Sequence, residues 1–135
     1  MSVFRCILAL LVSLFELSLI VVSEKFPCPA CGFLVFEEPV GSFDICAICG
    51  WEDDPVQLRF PSTPTGANST SLIEWQNELS SEVRHAAQEH LGIRKDPRWY
   101  PLSSVNHQLE EPKDDKSYFD AAAEDPPGYY WRDES

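Results

Sequence analysis

The pattern of apolar and polar positions divides the chain into three stretches of different character. Residues 1–23 are almost continuously apolar. Residues 24–92 begin with short, aromatic-rich runs broken by Pro and Gly, and then show apolar residues every three or four positions. Residues 93–135 are mostly polar and, from residue 108 onward, rich in acids and proline. We therefore expect a hydrophobic N-terminal segment, one folded domain, and a basic-aromatic loop with an acidic tail.

The strongest periodic pattern predicts one amphipathic helix over residues 71–92. Ser71 and Glu74 have the spacing of a capping box at its start, and Gly92 is a suitable stop. The predicted apolar face consists of Leu72, Trp75, Leu79, Val83, Ala86, Ala87 and His90. Such a face is typical of packing against the rest of a domain rather than of a cofactor site.

Upstream of this helix the apolar runs are short and predict a β-hairpin. Residues 33–36 read as one strand, residues 37–41 as the turn and residues 42–45 as the returning strand. The predicted fold is therefore a small α+β domain. It has a hairpin lobe, one amphipathic helix and an acidic tail.

The N-terminal segment, residues 1–22, has several interpretations. Val21 and Ser23 fit the small-residue positions before a signal cleavage, which would mean export or a weak anchor. Glu16 opposes membrane insertion, because an acid near a helix centre costs about 2.5–3.5 kcal/mol. A non-native extension upstream of a start near Val22, or a packed helix, are the alternatives. We expect a cytoplasmic protein, with export or membrane anchoring as the alternative if this segment acts as a leader.

The charge balance restricts the partners. The chain has 22 acidic and 10 basic residues, a formal charge of −12, which disfavours broad binding to nucleic-acid phosphates. One local exception is a basic-aromatic cluster that could form a binding patch or simply pack back on the lobe. This cluster comprises Arg94, Lys95, Arg98, Trp99 and Tyr100.

Four of the five cysteines form two C-x-x-C pairs, Cys28 with Cys31 and Cys46 with Cys49, separated by fourteen residues. This spacing is a strong signature of one tetrahedral Zn²⁺ site with four thiolate ligands. Two disulfides in a secreted protein, an iron site of the same geometry, and a redox dithiol are the alternatives. A site with four protein ligands would be structural rather than catalytic.

The residues around the cysteines favour metal-binding turns. Gly32 and Gly50 follow the two pairs and can adopt the positive φ that such turns need. We expect the neighbouring aromatic side chains to pack around the metal as a small core, giving a metal-stapled, zinc-ribbon-like lobe. These side chains are Phe26, Phe33, Phe36, Phe43 and Trp51.

The segments PCPACGFLVFEEPVGSFDICAICGWEDDPVQ and GANSTSL, within residues 26–79, resemble the bacterial cysteine-rich CPCC domain family. Ala30 stands where the family pattern has an additional cysteine. That difference supports Cys28, Cys31, Cys46 and Cys49 as the ligand set. The resemblance implies a small intracellular protein with no assigned reaction.

Two functions from different classes follow. The first is a structural-zinc module that binds an unidentified protein partner, with the aromatic residues 129–131 docking on this domain or on the partner. The second is a metal-assisted hydrolase that would use Glu52, Asp53 and Asp54, together with a histidine. We favour the first because of the closed Cys₄ site, the acidic balance and the aromatic tail motif. Asp53 or Asp54 can instead accept backbone N–H bonds in the turn at Pro55, and Glu52 can be simply solvated. The candidate histidines are His85, His90 and His107.

Overall fold

The computed structural model describes residues 23–79, 92–102 and 110–132. In chain order the elements are β1 (Phe26–Pro27), β2 (Leu34–Phe36), α1 (Pro55–Arg59), α2 (Leu72–Glu78) and α3 (Tyr118–Glu124). The strands β1 and β2 form an antiparallel pair, with Phe26 opposite Phe36 and an irregularity before Pro27. The described residues therefore form a small α+β fold, as the sequence predicts.

The predicted strand at residues 33–36 is confirmed as β2, but its predicted partner is wrong. β2 pairs with the upstream β1, whereas residues 42–45 contribute one isolated bridge between Ile45 and Glu52. The carboxylate of Asp53 accepts the N–H groups of Gly41 and Ser42 at 3.0 and 3.1 Å. These bonds direct the chain toward the second cysteine pair instead of back along β2.

The short helix α1 was not predicted. Asp54 caps it by accepting the N–H of Val56 at 2.7 Å, and Pro55 occupies the first turn. Asp followed by Pro is a recognised helix start, so the signal is present in the sequence. Val56 and Phe60 pack against Ala122 of α3 in a small cluster separate from the main core.

The helix α2 begins where the capping box predicts. Ser71 accepts the N–H of Glu74, and the Glu74 carboxylate accepts the N–H of Ser71. The predicted extent to residue 92 is wrong, because the helix ends at Glu78 and Leu79 has an extended backbone with φ −66° and ψ 113°. The predicted face beyond Leu79 falls in residues 80–91, outside the described part of the chain.

The main core surrounds the cysteines. Its buried members are Cys28, Ala30, Cys31, Phe33, Phe36, Cys46, Trp51, Leu58, Leu72, Trp99, Tyr129 and Trp131. Phe43 was expected in this core, but it is 47% exposed. The aromatic residues 129–131 dock on this domain, since Tyr129 and Trp131 are core members and Tyr130 packs against them.

No helix among the described residues is both long and apolar enough to cross a bilayer. Residues 1–22 lie outside the described part, so the interpretations of that segment stay predictions.

Candidate metal centre

The first cysteine pair lies in a tight turn stabilised by its own backbone. Cys28 donates its N–H to the carbonyl of Phe33 at 2.9 Å, and Gly32 donates its N–H to the carbonyl of Cys28 at 2.7 Å. Gly32 has φ +79°, a conformation that is strained for residues with a Cβ atom. The glycine predicted from the sequence is therefore required by the turn.

The second cysteine pair repeats this arrangement with nearly the same dimensions. Cys46 donates to the carbonyl of Trp51 at 2.8 Å, and Gly50, with φ +80°, donates to the carbonyl of Cys46 at 2.9 Å. The N–H of Ile48 also points at the Cys46 sulfur, at 3.4 Å. Such N–H···S contacts stabilise negative charge on a thiolate.

The two turns bring the four sulfurs together. The Sγ atoms of Cys28 and Cys49 lie 3.7 Å apart, as do those of Cys31 and Cys46. All four sulfurs lie within 4.8 Å of one another. A tetrahedral ion with metal–sulfur bonds of about 2.3 Å requires sulfurs about 3.8 Å apart, so the arrangement fits one metal ion.

The same distances argue against the disulfide alternative. A disulfide joins two sulfurs at about 2.05 Å, and all four cysteines are free thiols in this structure. The redox-dithiol alternative also loses support, because each C-x-x-C lies in a glycine-closed turn rather than at the start of a helix.

Burial disfavours the charged thiolate form of these cysteines in the absence of a cation. Cys28, Cys31 and Cys46 are buried, and Cys49 is half-buried. Burial raises the pKa of the Cys28 thiol, and contacts with the other three cysteines raise it further. Four thiolates this close together would repel one another, whereas a bound divalent cation favours the deprotonated form of all four.

The first cysteine turn is fixed from outside by two side chains. The carbonyl oxygen of Pro29 accepts the Nε2–H of Gln76 from α2 and the Nε1–H of Trp99, both at 2.9 Å. Gln76 also accepts the N–H of Leu102 at 2.7 Å. The helix and residues 92–102 therefore hold the turn that carries Cys28 and Cys31.

Two members of the basic-aromatic cluster, Lys95 and Trp99, pack back on this lobe. Lys95 lies over the rings of Trp99, at 4.3 Å, and of Phe33, at 5.7 Å. Trp99 is buried, whereas Arg98 and Tyr100 are exposed. The structure thus favours the packing interpretation for Lys95 and Trp99, while Arg94, Arg98 and Tyr100 remain on the surface.

Asp96 joins this loop to the C-terminal aromatic residues. Its carboxylate accepts the Nε1–H of Trp131 at 3.0 Å, the Nε–H of Arg132 at 2.9 Å and the N–H of Arg98 at 3.1 Å. Burial alone would raise the pKa of Asp96, but these three donors lower it to about 2. The ionised carboxylate therefore stabilises the docked tail.

The acidic segment after the second turn has structural roles. Asp53 accepts three hydrogen bonds from Gly41 and Ser42, and burial raises its pKa despite them. Asp54 caps α1 and accepts the N–H of Ala67 at 2.6 Å. Among the described residues, the four cysteines are the one group that could hold a metal ion. His85, His90 and His107 lie outside those residues.

The sequence analysis did not predict the roles of two buried side-chain amides near this segment. Asn68 accepts the N–H of Glu52 and donates to its carbonyl, both at 2.9 Å. Gln57 accepts from the N–H and the side chain of Asn68 at 3.0 Å and donates to the carbonyl of Thr70 at 2.8 Å. These bonds connect the WEDDPVQ and GANS segments. Both segments belong to the family resemblance, which by itself gave them no structural role.

The fold and the four converging cysteines define a small module with a candidate metal-binding lobe. The family model described as "Cysteine-rich CPCC" matches residues 26–91, and this segment of the chain is similar to that family. The identification from the sequence is therefore confirmed.

A second comparison involves a much larger protein. Over 100 residues the chain is 31% identical to the UvrABC system protein A of Lactococcus lactis subsp. lactis (strain IL1403). The aligned part covers 64% of this chain and 11% of that protein. The likeness is thus to a small part of that relative.

Proposed function

We propose that this protein is a small binding module whose fold depends on one structural Zn²⁺ held by Cys28, Cys31, Cys46 and Cys49, and that it acts through contact with a protein partner. The observation that carries the proposal is the convergence of four sulfurs with 3.7 Å separations across the two pairs. Four protein ligands complete a tetrahedron, so no position remains for a substrate.

The metal has a clear structural task. The two strands have two and three residues, and an isolated ribbon of this size is not stable in water. Three of the four cysteines belong to the main core. An ion that joins the two turns would therefore close the lobe around which Trp51 and Trp99 pack, so that folding and metal binding are coupled.

We propose zinc rather than iron because its chemistry suits a structural site. Zn²⁺ has no redox chemistry and no geometric preference beyond what its ligands impose, which suits a closed Cys₄ site. Thiolates also accept iron, so the two metals need a direct measurement. A cytoplasmic location, where thiols stay reduced, is consistent with four free ligands.

Metal analysis of the purified full-length chain tests the proposal. We expect one zinc per chain, and we expect Cys46→Ser to lose both the metal and cooperative unfolding. Cys6→Ser is the matched control, because Cys6 lies outside the two pairs, and it should keep the metal. Stoichiometric iron with visible thiolate-to-iron absorption would refute zinc, and a metal-free, cooperatively folded chain would refute the structural role.

The binding role is supported by charge and by the closed site. The formal charge of −12 disfavours nucleic acid. Of the three carboxylates in the alternative hydrolase, those of Asp53 and Asp54 accept backbone N–H groups. A pull-down with the metal-loaded chain tests this role. A specific protein should be captured by wild type and lost with Cys46→Ser, and no specific capture by either form would count against it.

A further inference from the structure

The second cysteine turn closes a very short antiparallel ladder with one unpaired edge. Cys46 donates to the carbonyl of Trp51 and Asp53 donates to the carbonyl of Asp44, at 2.8 and 2.9 Å. These bonds flank the bridge between Ile45 and Glu52. In such a pair the N–H and C=O of the two bridged residues point outward, away from the partner strand.

The protein covers one of the two outward edges. On the Glu52 side, the amide of Asn68 takes the place of a neighbouring strand, accepting the N–H and donating to the C=O at 2.9 Å. On the Ile45 side, within the described part of the chain, neither the N–H nor the C=O has a hydrogen-bond partner. Unpaired strand edges are templates for pairing with another extended chain.

The open edge also presents apolar side chains. Ile45 is 69% exposed and Phe43 is 47% exposed. Phe43 has φ +58°, a conformation that is uncommon for a bulky residue and persists only where the surroundings impose it. Its N–H donates to the carbonyl of Asp53 at 3.1 Å. The hydrogen bonds from Ser42 to the Asp53 carboxylate hold the preceding residue.

Acidic groups flank these side chains. Asp44 is exposed and lies between Phe43 and Ile45, and Glu52 is the bridge partner of Ile45. Both contribute to the overall charge of −12. This charge disfavours a second copy of the chain at the edge and favours a segment with basic side chains.

We propose that an extended segment of a partner protein, with apolar and Lys or Arg side chains, adds as a strand to the free edge at Ile45. Main-chain bonds to Ile45 would give affinity, and contacts with Phe43 and Asp44 would give specificity, as in other cases of strand addition. This inference rests on the proposed binding role and names the surface and the chemistry of the partner.

Peptide display on the metal-loaded, full-length protein tests the inference. The probe is a library of random peptides about ten residues long, which is the upper end of the usual strand length. Selected peptides should be apolar and basic, and Ile45→Pro should weaken their binding by about tenfold or more. This substitution removes an N–H that the fold does not use.

Further variants keep the test decisive if Ile45→Pro fails to fold. Ile45→Ser should weaken binding through loss of the apolar contact, and Asp44→Lys should reverse the preference for basic peptides. Phe119→Ser is the matched control, because Phe119 is 66% exposed on α3, and it should bind like wild type. Metal content is measured for every variant.

Three outcomes would overturn the inference. The first is that the selected peptides bind wild type, Ile45→Ser and Asp44→Lys equally well. The second is that no peptide is selected on the metal-loaded protein. The third is a dimer in sedimentation that depends on Ile45, which would assign the edge to a second copy of the chain. Absence of stoichiometric metal in wild type would instead be a failure of the proposed function itself.

Discussion

A methyl group added at Gly32 gives the sharpest test of the packing around the first cysteine turn. A Cβ atom there would lie 2.6 Å from Cγ and Cδ2 of Trp99 and 3.0 Å from Cε of Lys95. Trp99 is 8% exposed and bonded to the carbonyl of Pro29, so its ring cannot move without breaking other contacts. Gly50 has the same backbone conformation, but its nearest neighbour would be Trp75 Cζ2 at an ordinary 3.8 Å.

Comparison of Gly32→Ala with Gly50→Ala separates the cost of backbone strain from the cost of steric overlap. Placing a non-glycine residue at φ near +80° costs about 1–2 kcal/mol at either position. Overpacking against Trp99 adds about 1–3 kcal/mol. We expect Gly32→Ala to lower the free energy of unfolding by about 2–5 kcal/mol and Gly50→Ala by about 1–2 kcal/mol. The stabilising loss of unfolded-state entropy is similar in both variants, so it cancels in the comparison.

Urea unfolding followed by tryptophan fluorescence measures these values. The concentration of free metal ion must be the same for all variants, because a bound metal adds to the apparent stability. Adding Trp99→Leu to both backgrounds should shrink the difference between the two alanine variants. Equal destabilisation by Gly32→Ala and Gly50→Ala would refute the argument that Trp99 requires glycine at this position.

Three further predictions concern groups outside the cysteine turns. The ionised Asp96, with its pKa lowered to about 2, should contribute about 2 kcal/mol near neutral pH. This contribution is present above about pH 4 and lost as the pH falls toward 2, so the difference between wild type and Asp96→Asn in free energy of unfolding should shrink over that range; a pH-independent difference would contradict this role. Trp131→Ala should cost about 3–5 kcal/mol in urea unfolding, and a loss below about 1 kcal/mol would mean that the C-terminal aromatic residues do not stabilise the core. Asp53→Asn should keep one metal per chain and reduce stability by about 1–3 kcal/mol, whereas loss of a second bound metal from a folded protein would favour the hydrolase hypothesis.

Local patterns in the sequence correctly predicted the turns and the helix cap whose hydrogen bonds join residues close together in the chain. Each cysteine turn is closed by bonds between residues at most five apart, such as Gly50 to Cys46, so its spacing and its glycine are visible in the chain. The same holds for the capping box of Ser71 and Glu74. The Asp–Pro start of α1 was equally local, and it was missed because the carboxylates were assigned to a turn.

Contacts between residues far apart in the chain were decided by the tertiary structure. β2 pairs upstream with β1 because Asp53 bonds Gly41 and Ser42 and turns the intervening chain away. The Pro29 carbonyl is held by Gln76 and Trp99, which are 47 and 70 residues away. The open edge at Ile45 is apparent only once Asn68 is seen to cover the opposite edge.

The physical reason is the range of the interactions. A turn or a cap satisfies backbone groups within a few residues, and so each leaves a fixed spacing in the sequence. Burial of an aromatic or an amide from a distant segment depends on which surfaces meet after folding, and many side chains would satisfy the same local pattern. The spacing of residues along the chain is therefore enough to predict the two cysteine turns, whereas contacts formed on folding establish what packs around them and which strand edge stays free.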